Sequence, residues 1–138
     1  MFQDNDRKLY VIVNRNAEVA TQMNAIGHLS AGIMLKAEEP YFHDYLNRDS
    51  GFSAWLNHYP VVILQSKNSN QLASALQKCS EAGLLYNFFT TTMLSHSSEQ
   101  QIADTLAAPF EQLEFIALAI YGDASVAGPI TKKFSVYK

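Results

Sequence analysis

The sequence has one cysteine, Cys79, so no internal disulfide can hold the chain and no thiolate cluster can bind a metal. Charge is also scarce. Only 17% of residues are charged, and 13 acidic residues against 10 basic ones leave a formal net charge of -3. That balance provides no global positive field for nucleic acid or anionic lipid. A membrane-spanning helix needs about 18 consecutive apolar residues, yet even the least polar stretch, 22–36, contains Asn24, His28 and Ser30. There is no glycine-rich phosphate loop, because Gly27 and Gly32 lie inside a helical pattern. The opening MFQDNDRK is polar and partly acidic, unlike a basic and apolar leader. Together these absences predict a cytoplasmic chain with no cofactor, no metal, no membrane association and no tight nucleic-acid binding.

Apolar residues make up 48% of the 138 residues, enough to build one domain over 1–138 around its own core. The low charge fraction and the aromatics Tyr41, Phe42, Tyr45, Phe52 and Trp55 suit an interface as well, so a homodimer or another protein partner is a second expectation. KLYVIVN (8–14), PVVILQS (60–66) and EFIALAIYG (114–122) read as buried strands, and LLYNFFTTTML (84–94) as a further strand leading into a loop. Helical periodicity covers 19–37, where Val19, Met23, Ile26, Leu29 and Ile33 form the side expected to pack on the sheet. NSNQLASALQKCSEAG is a second helix, capped by Asn68 or Ser69, with Leu72, Ala75, Leu76 and Cys79 facing inward and Gly83 stopping it. Ser97 followed by Gln100 predicts a third helix start. Residues 41–59 suggest a short helix or loop, a turn and a return to the sheet. DASVAGP reads as a turn or helical turn, and KKFSVYK as a closing extended segment. Strands separated by helical crossovers predict an α/β three-layer sandwich with a mixed central sheet of about four strands flanked by helices.

Two places could carry chemistry. On the less apolar side of the first helix, Thr21, Asn24 and His28 follow one another by three and four residues and could orient a ligand or a water. The plain alternative is a histidine hydrogen-bonded to nearby backbone. The hydroxyl run Thr90, Thr91, Thr92, Ser95, His96, Ser97 and Ser98 leads from a strand end into a helix start, where ligands collect in open α/β sheets. Strand and cap preferences explain the same run without a ligand. The basic residues are spread along the chain, and the expected gathering is of the terminal lysines with Arg7 and Lys8.

NAIGHLSAG after the first strand, PVVILQS before a helix ending in EAGL, and the closing ALAIYGDASVAGPITKKFSVYK resemble the type-two peptidyl-tRNA hydrolases. They also resemble a bacterial family of unknown function with that type of fold, and this is the nearer likeness. The resemblance places the hydrolase lysine at Gln22, its aspartate at Thr91 and its threonine at Ser95. Neither a glutamine nor a threonine can replace the cation or the carboxylate base. It therefore implies the scaffold and a pocket bounded by Gln22, Asn24, His28, Thr91, Thr92, Ser95 and His96, without peptidyl-tRNA cleavage. A small-molecule ligand or a regulatory role is the leading expectation. A hydrolase or transferase of small esters or amides, using His28 or His96 as base, is the alternative.

Overall fold

A computed structural model describes residues 6–94 and 97–138. Strand β1 (Arg7–Asn14) lies at the centre of a five-stranded sheet, between β4 (Val61–Ser66) and β6 (Phe115–Asp123). Outside these lie β5 (Leu85–Thr90), next to β6, and β7 (Ser135–Val136), next to β4. β1 and β4 are parallel, and the other described pairings are antiparallel. The sheet is mixed, as the sequence pattern predicts. Its fifth strand comes from the closing segment, where Ser135 and Val136 pair with Gln65 and Leu64.

The centre of β1 is buried on both faces, which is why KLYVIVN is a continuous apolar run and not an alternating one. Leu9, Val11 and Val13 face one core with Ala25, Leu29 and Ile33 of helix α1 (Val19–Lys36). Tyr10 and Ile12 face the other, with Leu72, Ala75, Leu76 and Cys79 of α2 (Ser69–Ala82) and Ala127 and Ile130 of α4 (Ala124–Thr131). The alternation breaks on β6 at Ile116, where the β5–β6 register shifts between Phe89 and Thr90. Ile116 and Ala117 then both join the α1 core, while Phe115 joins the α2 core.

The buried stripe of α1 differs from the expected one. Leu29 and Ile33 are buried as predicted, but Val19 and Met23 are 58% and 66% exposed, and Gln22 and Ala25 occupy the inner positions instead. The helical period is right and its centre is rotated, because Gln22 finds hydrogen-bond partners inside and can be buried like an apolar residue. Residues 41–59 also differ from expectation. They form an antiparallel hairpin of β2 (Phe42–Leu46) and β3 (Ser53–Asn57) around the foreseen NRDSG turn. The turn is locked by Asn47, whose Oδ1 accepts from the Ser50 N–H at 3.0 Å and the Ser50 hydroxyl at 2.8 Å. Both hairpin faces are largely exposed, so no in-out alternation of polarity marked these strands. DASVAGP opens the eight-residue α4, capped by Asp123. Two hydrogen bonds from Ser125 hold the Asp123 carboxyl below its ordinary pKa.

Both ends of α2 follow the sequence signals. Asn68 Oδ1 accepts from the Gln71 N–H at 3.0 Å, and Gly83 adopts φ +71° while the Leu84 N–H bonds back to the Cys79 carbonyl at 3.0 Å. Cys79 is a core residue, and burial pushes its thiol up to about 11. Asn68→Ala should cost about 1 kcal/mol through the lost cap. Gly83→Ala should cost about 1–2 kcal/mol through the left-handed backbone. The two sites share no contact, so urea unfolding should find the double variant additive to within about 0.5 kcal/mol. A larger departure would mean that α2 does not end as described.

Candidate functional site: a groove beside His28

A groove of about 530 Å³ runs between α1 and the segment after β5. Asn24, His28 and Leu29 form the helix wall, Asn87 and Phe89 come from β5, and Met93, Leu94 and Gln101 lie opposite. The His28 ring is 5.9 Å from the Phe89 ring, tilted by 31°. Asn87 ties strand to helix, its Nδ2 donating to the Leu29 carbonyl at 3.4 Å. Gly32 permits this approach, since a Cβ there would lie 2.8 Å from Asn87 Nδ2. The glycine inside the apolar helix thus has a packing role.

Among the described residues, Asn24 and His28 are the sequence candidates that meet in this groove. Thr91 is exposed outside the groove lining, and its backbone N–H donates to the Glu114 carbonyl at 3.1 Å. Thr92 is committed to a hydroxyl chain, with Oγ1 at 2.7 Å from Thr90 Oγ1 and 2.8 Å from Thr105 Oγ1. That chain pins the turn after β5 to α3 (Ser98–Ala107). Ser95 and His96 lie outside the described residues. Gln22 is 2% exposed. Its Nε2 donates to the carbonyls of Asn14 and Ala17 at 3.0 and 2.8 Å, and its Oε1 accepts from the Tyr137 hydroxyl at 2.8 Å.

A family model described as "Protein of unknown function (DUF2000)" matches residues 7–138. The chain belongs to the DUF2000 family. The DUF2000 chain is also similar in fold to the solved structure of a protein of unknown function, Atu0240, from Agrobacterium tumefaciens strain C58. The TM-score is 0.78 and the identity 19%, with both chains covered over 100% of their length. No curated protein matches the chain.

Sequence reasoning missed Asn87, Phe89 and Gln101 of the DUF2000 groove. Asn87 carried a readable signal, because it is a lone amide in the apolar run LLYNFF. The expected gathering of terminal lysines with Arg7 and Lys8 is replaced by other groupings. Arg7 lines a recess with Lys36, Glu38 and Asp123, while Lys133 shares a different cleft with Arg15 and Lys67. No helix of the described residues is long and apolar enough to cross a membrane. Among those residues no cluster of three or more histidine, cysteine or acidic side chains could hold a metal ion.

The Gln22 bonds make a direct prediction. Gln22→Leu should cost about 2 kcal/mol and Tyr137→Phe about 1 kcal/mol, since each deletes buried hydrogen bonds. Both remove the same Gln22–Tyr137 bond, so denaturant unfolding of the double variant should show roughly 1 kcal/mol less than the sum. Strict additivity would show that the bond contributes nothing to stability.

Proposed function

We propose that this chain is a binding protein for a small, partly apolar ligand held in the groove beside His28. On this reading the scaffold is of the type-two peptidyl-tRNA hydrolase kind, without that activity. The groove wall carries the proposal: exposed Asn24 and His28, with Gln101 opposite, stand over the apolar side chains of Leu29 and Phe89. Sites for small molecules combine an apolar surface with a few polar groups in this way, in volumes of about 300–1,000 Å³. Among the described residues no carboxylate lines the groove to orient His28, as base catalysis would need. The resemblance also puts the hydrolase lysine at Gln22, whose amide is occupied by Asn14, Ala17 and Tyr137. Binding therefore has better support than catalysis.

The test is thermal unfolding with a panel of small metabolites. At a hundredfold excess over its dissociation constant, a true ligand adds about 2.7 kcal/mol of stability. His28→Ala should abolish that gain and leave the unliganded melting temperature within experimental error, because the residue is exposed. A panel without any stabilising compound, or stabilisation that survives His28→Ala, would count against the groove. Turnover of peptidyl-tRNA by the unmodified protein would replace binding with catalysis.

A further inference from the structure

We propose a second binding site, for a phosphomonoester, in a cleft of about 570 Å³ at the carboxyl ends of β1 and β4. Arg15 follows the last residue of β1, and Lys67 follows the last residue of β4. Their two loops are stitched together: the Arg15 N–H donates to the Ser66 carbonyl at 3.1 Å, and Asn16 Nδ2 to the Lys67 carbonyl at 2.8 Å. Lys133 and Ser135 complete the cleft from the closing segment. Three cations thus share one cleft in a chain whose net charge is -3, and among the described residues no carboxylate side chain lines it.

The neutral groups point to the same chemistry. Gln65 Oε1 already accepts from the Lys138 N–H at 3.2 Å, and Gln71 Oε1 from the Lys67 N–H at 2.9 Å. Each amide has spent its carbonyl on backbone and keeps its Nε2 donor. With the three cations and the Ser135 hydroxyl, the cleft offers donors almost without competing acceptors, which matches a phosphate's several acceptor oxygens. Arg15 is held ready, its guanidinium carbon 4.7 Å from the centre of the Tyr137 ring.

Topology supports the location independently. β1 and β4 are parallel neighbours, yet β1 leads into α1 on one sheet face and β4 into α2 on the other. Crevices beyond the carboxyl ends of strands, at such a divergence, are where open α/β sheets take ligands. The volume admits a phosphate with a small organic group attached. The site is separate from the His28 groove, so either can fail alone.

The experiment is an amide-resolved NMR titration of the full chain at constant ionic strength, with inorganic phosphate, phenyl phosphate and chloride. Saturable shifts should centre on Arg15, Asn16, Lys67 and Ser135, with phenyl phosphate binding more tightly than inorganic phosphate and chloride giving none. Arg15→Gln with Lys67→Gln should weaken binding roughly tenfold or more, with an unchanged melting temperature. The milder Lys133→Gln should weaken it several-fold, and Lys78→Gln, outside the cleft, should leave it unaltered. Absence of saturable shifts, an equal response to chloride, or undiminished binding in the double variant would overturn the proposal. So would a short RNA that outcompetes phenyl phosphate in the same cleft, which would reassign it to nucleic acid.

Discussion

The buried amide of Gln22 is the constraint on which the arrangement of α1 depends. An amide sealed from water must satisfy both its donor and its acceptor. Gln22 does so with the end of β1, the turn leading into α1 and the hydroxyl of Tyr137, which is 115 residues away in sequence. Any rotation of α1 that buried Val19 and Met23 more deeply would carry this amide away from its partners. A polar side chain therefore sets the helix's orientation where hydrophobicity alone would have allowed another.

That orientation decides what the two sides of α1 can do. Residues two apart on a helix point in widely different directions. With Gln22 turned inward, Asn24 is turned out, and His28 follows it one turn later along the groove wall. Asn87 then secures the wall to β5, across Gly32. The closing segment is tied to the same amide: Tyr137 reaches Gln22 through its hydroxyl and presents its ring to Arg15. The α1 groove and the cationic cleft are thus built from opposite sides of one fastening.

Features governed by local chemistry were legible in the sequence. The Asn68 cap, the Gly83 stop, the inward stripe of α2 and the four apolar strands each follow from residues within a few positions of one another. What could not be read depended on distant partners. The hairpin at 42–57 is exposed on both faces and so lacks the usual alternation. KKFSVYK reads as extended, but its becoming β7 depends on Ser135 and Val136 meeting the edge of β4. In the groove, Asn24 and His28 could be picked out from helical spacing, whereas Phe89 is one apolar strand residue among many until the fold brings it beneath His28. The clustering of Arg15, Lys67 and Lys133 was hidden for the same reason, since 52 and 66 residues separate successive members.

The position of Gln22 also limits what a different residue there could do. A lysine at this point of α1 would enter an interior position facing two carbonyls and a phenol, instead of the open groove beside His28. Its charge could be accommodated only by hydrogen bonding to those groups, because removing an ammonium from water is otherwise costly. A lysine directed into the groove would need a different rotation of α1 or a different closing segment, so changing the residue alone would not supply one. Gln22, Tyr137 and the rotation of α1 form one packing solution, which uses the amide to hold the chain together and turns Asn24 and His28 outward.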